Sequence, residues 1–306
     1  MNELPALRVA AVIVTYEPDT DLLETNIRKV AAQVQQVYIV DNSTEFCVKV
    51  YCESLRLANL YCIPLGENLG IATALNRGIE SARRDGMDFV LLLDQDSECA
   101  SDLIHELLTA HEKVREQGGK IAAIGSRALD RETGHLSDPL IFGWFGTRVQ
   151  LCPEGSVVPV EFVITSGSLI AMETLRTVGA MREDLFIDHV DTEWILRAHQ
   201  HNYQAYLCCS AQIIHARGER RLRVWAGRWR NAPLHKPFRY YYLFRNYLLL
   251  LRQKGLSRKW KFMEAQRLVQ MLIFLALFAQ EREQIVRFIA RGVGDGLHNR
   301  GGRMGQ

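Results

Sequence analysis

The chain lacks the signatures that usually assign a function quickly. No Gly-x-Gly-x-x-Gly follows the first predicted strand and no Gly-x-x-x-x-Gly-Lys-Ser/Thr occurs anywhere, which weakens dinucleotide-binding and P-loop readings. There is no Cys-x-x-Cys, and no histidine cluster stands beside a cysteine at zinc spacing. The seven cysteines, odd in number and irregularly spaced, read as free thiols of a reducing compartment. Long apolar runs are missing too. The longest, Met271 to Ala279, falls far short of the ~18–20 residues that span a bilayer. The apolar stretch Val9 to Val14 is too short for a signal peptide and is preceded by acidic Glu3, so the expected location is the cytoplasm. No internal repeat or low-complexity segment is visible.

What is present bounds the answer. Of 306 residues, 48% are hydrophobic and 24% charged, enough for a core in one large or two small domains, which excludes disorder and collagen-like chains. The net charge of +2 conceals a division. Up to Ala216, 17 Lys and Arg face 30 Asp and Glu; from Arg217 onward, 20 face 5. An acidic body carries a basic C-terminal region, a pattern that suits nucleic acid, an anionic membrane or a phosphorylated partner.

The hydrophobic pattern predicts strands at 8–14, over VYIVDNS, near Leu60 to Pro64, over Asp88 to Asp96 and at 121–126. Helical spacing separates them at 20–34, from Asn68-Leu69-Gly70 to about Arg84, and at about 101–117. This βαβ rhythm predicts a mostly parallel sheet with helices on both faces. From Arg127 to Val160 the rhythm gives way to Gly- and aromatic-rich hairpin-like segments. A strand and loop are expected over Val160 to Met172, a helix at 191–200, and strands at 203–208 and 211–215. Beyond Gly218 no strand is expected; 238–254 and 258–290 read as long helices.

In open α/β sheets, ligands bind beyond the carboxyl ends of the strands. Three predicted strand ends carry polar groups: Thr15-Tyr16-Glu17, Asp41-Asn42-Ser43 and Asp94-Gln95-Asp96-Ser97. A carboxylate there can hold a ribose hydroxyl or a base N–H. Two carboxylates flanking one residue can present oxygens to a hard divalent cation that neutralises a diphosphate. Each site alone is equally well a solvated turn or helix cap, but three in this order are harder to dismiss.

VAAVIVTYEPD, VYIVDNST, ENLGIATALNRGIESA and DFVLLLDQDS resemble the inverting family 2 glycosyltransferases of GT-A fold, and more narrowly the bacterial rhamnosyltransferases of surface-polysaccharide assembly. The similarity covers about residues 8–250. It implies an α/β fold with a mixed sheet flanked by helices and a helical C-terminal extension. It divides the chain into a catalytic domain at 1–220 (donor half about 1–126, acceptor half about 127–220) and a basic helical region at 221–306. It also implies that Thr15, Tyr16, Glu17 and Asp41 clasp base and ribose, and that Asn68 and Gly70 lie beside the nucleotide. Asp94 and Gln95 then face the donor, while Asp96 binds Mg²⁺ or Mn²⁺. Ser97 is expected to cap the next helix.

Downstream, Phe186 to Arg197 is similar to the family's acidic motif ending in arginine. Aligning Arg197 places the catalytic base at Asp191 and the next acid at Glu193, toward the acceptor. Val190 stands where the family has an acid, which leaves Asp188 without an assigned role. An inverting transfer needs such a carboxylate to take the acceptor hydroxyl's proton. His215 is expected at the metal, Ser166 and Gly167 near sugar or acceptor, Trp144 on a sugar face, and Arg217 and Arg220 on the diphosphate. His105, His111, His199 and His201 read as surface residues.

The basic tail mixes Arg and Lys with Trp225, Trp229 and Phe238, a composition shared by RNA surfaces and membrane-interface segments. No RNA-binding signature accompanies it, so nucleic acid ranks last. Its long helices are expected to pack on a partner helix, a second subunit or an anionic membrane's inner face. The expected reaction moves L-rhamnose from a dTDP-sugar to a saccharide, often lipid-linked. UDP-glucose or UDP-galactofuranose as donor, and a non-enzymatic adaptor, are the alternatives.

Overall fold

The computed structural model describes residues 7–130, 134, 136–143, 146–215, 220–225, 229–279 and 281–305, with the backbone alone at 130, 140–143, 146–148, 215, 220–225 and 229–234. The chain divides into two compact units, one made of residues 1–183 and 190–216, the other of 184–189 and 217–306.

In the first unit the elements run β1 (Val9–Thr15), α1 (Thr20–Ala31), β2 (Gln36–Asp41), α2 (Val48–Leu55), β3 (Leu60–Pro64), α3 (Ile71–Arg84) and β4 (Phe89–Asp94). There follow β5 (Ser97–Cys99), α4 (Leu103–Glu116), β6 (Ile121–Asp130), β7 (Leu140–Gly143), β8 (Gly146–Val149), β9 (Val157–Val160) and β10 (Ser168–Ala171). The unit closes with α5 (Met172–Val178), α6 (Val190–Gln200) and β11 (Gln204–His215).

β3-β2-β1-β4 form the parallel half of a nine-stranded mixed sheet, which continues through β10, β6, β11 and β5, with β9 on β11. β10 is antiparallel to both β4 and β6. The parallel half follows from its sequence: Ala10, Ala11, Val12 and Ile13 are all 0% exposed, as expected of a strand covered on both faces. Each fully buried Ile or Leu contributes roughly 1.5–3 kcal/mol. Asp19 opens α1 by accepting from the backbone N–H of Asp21 and Leu22, and the helix then buries Leu23, Ile27 and Val30 at helical spacing.

The second unit holds β12 (Arg220–Trp225), β13 (Trp229–Leu234), α7 (Pro237–Leu251), α8 (Arg258–Phe278) and α9 (Arg282–Leu297). Tyr240, Leu243, Phe244, Leu268, Leu275, Ile285 and Ile289 make its core. Gly292 lets α9 approach α7 closely, since a Cβ there would lie 2.3 Å from the Tyr241 carbonyl oxygen. No described helix is long and apolar enough to cross a membrane.

Several expectations need correction. β12 and β13 form an antiparallel hairpin where no strand is expected. Only Leu222 and Val224 alternate with arginines there, too short a period-2 stretch to signal a strand against the basic composition around it. The helix expected over 258–290 is two, broken between Phe278 and Arg282. The thiols are not all free: Cys152 and Cys209 form a disulfide, brought together by the antiparallel pairing of β9 and β11. Chain spacing could not show this, because the pair is 57 residues apart. Ser97 is not a helix cap but the fully buried first residue of β5, and α4 begins after Asp102. His111 packs edge-on against Phe89, and burial pushes the imidazoles of His111 and His199 below their usual range.

Candidate active site

The carboxyl ends of β1, β2 and β4 lie side by side, so the three polar strand ends form one site. Parallel register places Thr15 opposite Asp41 and Val14 opposite Asp94. Asp41 is 1% exposed, and its Oδ1 accepts from Thr15 Oγ1 at 2.6 Å and from Ser43 Oγ at 2.8 Å. Ser43 Oγ in turn accepts the Glu17 N–H at 2.7 Å, and Glu17 Oε1 accepts from the Thr44 N–H at 3.2 Å. The turn after β1 is therefore tied to the turn after β2 by a chain of hydrogen bonds, buried at Asp41 and opening to the surface at Glu17. Satisfied networks of this kind rigidify a site.

The β4 end is tied into the same frame. Gln95 Oε1 accepts the Tyr16 N–H at 2.7 Å, and the Gln95 carbonyl accepts from Asn26 Nδ2 at 2.8 Å. With its backbone fixed, Tyr16 leaves its side chain 52% exposed at the mouth of the strand ends. The loop before α3 hangs from Asn42: its Oδ1 accepts the Leu69 N–H at 3.0 Å, while Asn68 Oδ1 accepts the Gly70 N–H at 3.0 Å. Asn68 and Gly70 are thus held to the β2 end.

From the other half of the sheet, Ser166 Oγ donates to Ser97 Oγ at 2.6 Å and accepts the Asp94 N–H at 3.1 Å. The next residue, Gly167, has φ +80° and donates its N–H to the Leu92 carbonyl at 2.8 Å. A Cβ on Gly167 would stand 2.1 Å from Ser126 Oγ, so only glycine fits. β5 and β11 run antiparallel with His215 opposite Ser97, which sets the His215 backbone beside the Asp94–Asp96 turn.

Asp191 sits in the first turn of α6, where its Oδ1 accepts from the Thr192 N–H at 2.7 Å. Glu193 is 1% exposed and gripped by the Arg197 fork, Nε to Oε1 and Nη2 to Oε2 both at 3.0 Å. Arg197 also donates to the carbonyls of Val178 and Ala180, so Glu193 anchors the base of α6 to the end of α5. Trp144 and Arg217 lie outside the described residues, and Arg220 is placed by its backbone in β12.

The residues fit a hard divalent cation by donor chemistry. Asp94 and Asp96 would offer the carboxylate oxygens that Mg²⁺ and Mn²⁺ accept, and His215 an imidazole nitrogen, a softer donor than such cations prefer. Among the described residues no cluster of three or more such side chains is already gathered.

Sequence reasoning missed Asn26, Asn42, Ser43 and Ser126. Asn26 could have been found: it is a polar residue on the apolar stripe of α1, 1% exposed between Leu23 and Ile27. Asn42 and Ser43 stood in the motif, but no partner could be named for them. Ser126 carried no signal, since its part is set by the close passage of Gly167.

A GT-A-like sheet with a polar frame at its strand ends defines a nucleotide-sugar transferase architecture. The family is shown directly: the Glycosyl transferase family 2 domain matches residues 10–149, and the chain belongs to that family. It is a glycosyltransferase. The dTDP-rhamnosyl transferase RfbF of Shigella flexneri is 33% identical over 247 residues, covering 80% of this chain and 80% of that protein. The low-salt glycan biosynthesis hexosyltransferase Agl10 of Haloferax volcanii is 25% identical over 214 residues, 68% of this chain and 66% of that one. Among solved structures, S. aureus TarS 1-349 superposes with a TM-score of 0.58 at 13% identity, covering 95% of this chain and 81% of that one. GalNAc-T7 with UDP, GalNAc and Mn²⁺ gives 0.56 at 14% identity over 68% of this chain, which spans only 43% of that longer protein. At such identities the structural likeness speaks for the fold alone.

Proposed function

We propose that this chain is an inverting rhamnosyltransferase that uses dTDP-rhamnose as donor and a saccharide, lipid-linked in the cell, as acceptor. One observation carries the choice of donor: 33% identity, sustained over 80% of both chains, to a dTDP-rhamnosyl transferase. The strand-end frame supports the nucleotide half. Tyr16 offers an exposed ring for a base to stack on, and Glu17 and Asp41 offer carboxylates to its N–H and to the sugar hydroxyls. Asn68 and Gly70 border the same nucleotide. Asp94 and Gln95 face the donor, with Ser166 and Gly167 closing the sugar end.

Asp191 takes the proton from the acceptor hydroxyl as that oxygen attacks the anomeric carbon from the side opposite the diphosphate. The leaving diphosphate gains charge as the bond breaks. Asp96 and His215 would hold a divalent cation whose charge offsets it. Trp144 would offer its ring to a sugar face. An acceptor held at an anionic membrane suits the second unit, where α8 exposes Phe262, Val269, Ile273 and Leu277 among the basic residues of the region. That contact would put the chain on the inner face of the cytoplasmic membrane.

The test is a donor panel of dTDP-rhamnose, UDP-glucose and UDP-galactofuranose, scored for transfer and for donor hydrolysis, beside thermal shifts with dTDP and UDP with and without Mn²⁺. Turnover of dTDP-rhamnose alone and metal-dependent stabilisation by dTDP are expected; turnover confined to a UDP-sugar overturns the donor. Asp191→Asn should lower kcat by ~10²–10⁴-fold while dTDP binding stays within about twofold. An active variant removes Asp191 as base.

A further inference from the structure

The six residues 184–189, which belong to the second unit, are shaped against backbone preference. Phe186, Asp188 and His189 have φ of 64°, 62° and 61°, and none is glycine. Each such residue is strained and persists only where its surroundings over-determine it. α7 supplies that determination from two adjacent side chains, Arg245 and Asn246, both 0% exposed. Asn246 Nδ2 lies 3.0, 2.8 and 2.9 Å from the carbonyl oxygens of Leu185, Ile187 and Asp188. Arg245 Nη2 donates to the carbonyls of Asp184 and Leu185, at 3.1 and 2.8 Å. Its Nε donates to Asn246 Oδ1 at 2.9 Å, which fixes which way the amide faces.

Three further contacts close the clamp. Arg239 grips the Asp188 carboxylate at 2.6 Å, and Glu264 of α8 meets His189 Nε2 at 2.8 Å. The chain near its C-terminus returns to the loop as well: the Gly302 N–H donates to the Asp184 carbonyl at 2.6 Å while its carbonyl accepts from Arg245 Nη1. A loop that only connects two elements does not require a buried guanidinium and a buried amide spent on five carbonyl contacts. His189 is followed at once by Val190 and Asp191, so whatever fixes the loop sets the path by which the chain enters α6.

Resting on the reading of Asp191 as base, we propose that Arg245 and Asn246 are positioning residues for catalysis. They hold the strained loop 184–189 so that Asp191 is presented to the acceptor hydroxyl. They touch no substrate, and their action on the reaction passes entirely through Asp191. A displacement of ~1 Å at a reacting group is enough to cost about 100-fold in rate.

The experiment measures steady-state transfer by the full chain for Asn246→Ala, Arg239→Gln, Asp191→Asn and the double variant Asp191→Asn/Asn246→Ala. Asn246→Ala should lose about 100-fold in kcat with donor KM and dTDP affinity within about twofold, and Arg239→Gln about tenfold. The double variant should be no slower than Asp191→Asn alone. A folded Asn246→Ala with wild-type kcat overturns the proposal, as does a double variant whose losses multiply. If Asn246→Ala does not fold, Arg239→Gln decides: unchanged kcat overturns the proposal. An active Asp191→Asn sinks the base assignment itself, which is a separate result.

Discussion

Thr15 stands directly opposite Asp41 in the parallel register of β1 and β2, and its hydroxyl donates to the Asp41 carboxylate at 2.6 Å. Both residues are almost fully buried, 0% and 1% exposed, so this oxygen pair belongs to the frame beneath the strand ends. An unmet hydroxyl in such a place costs ~1–3 kcal/mol.

Asp41→Ala should therefore weaken the protein and the site together, since Thr15 and Ser43 both lose their acceptor. Calorimetry should show dTDP affinity falling at least tenfold, equivalent to ~1.4 kcal/mol, alongside a lower melting temperature. Thr15→Val removes one of the two donors and should cost less on both counts. If Asp41→Asn binds dTDP as wild type does, Asp41 serves the fold and not the ligand.

Gly167 tests how closely the two halves of the sheet must meet. Gly167→Ala forces a side chain into φ +80° and sets its methyl group against Ser126 Oγ. The expected loss is roughly 2–4 kcal/mol, read as a shifted urea midpoint at constant slope. Adding Ser126→Ala should return only part of it, because the hydroxyl clash is relieved and the backbone strain remains. Full recovery would mean that backbone conformation contributes nothing.

Glu264 sets an acid limit on the second unit. Burial pushes its carboxyl up, but hydrogen bonds and charge from His189 and Arg267 outweigh this and hold it at about 2, against 4.5 for a free side chain. The unfolded chain thus binds a proton that the folded one refuses. The resulting stability is fully present above pH 4.5 and disappears as pH falls toward 2; its ceiling is about 3 kcal/mol. Urea unfolding of wild type and Glu264→Gln should differ at pH 6 and converge near pH 2. The depressed imidazoles of His111 and His199 act at higher pH, lowering stability as pH falls through their unfolded value of 6.5. Parallel curves for wild type and Glu264→Gln down to pH 2 would contradict the assignment.

The sequence by itself determined the parallel core and marked the polar residues at its strand ends. Val9 to Thr15, Gln36 to Asp41 and Phe89 to Asp94 are continuous apolar runs ending in polar groups, and a strand buried on both faces has no other way to end at a site. The helices at α1, α3, α4 and α6 were legible for a similar reason, since their apolar residues recur at the spacing of one helical face. Only the tertiary structure decided what crosses between distant segments. Ser166 meets Ser97, Cys152 meets Cys209, and Arg245 and Asn246 reach the carbonyls of 184–188, because sheet register and helix packing bring them together. Those partners are backbone carbonyls or small hydroxyls whose identity leaves no trace along the chain. The sequence could name Asp191, but the shape of the loop 184–189 that precedes α6 is set by side chains of α7 far along the chain.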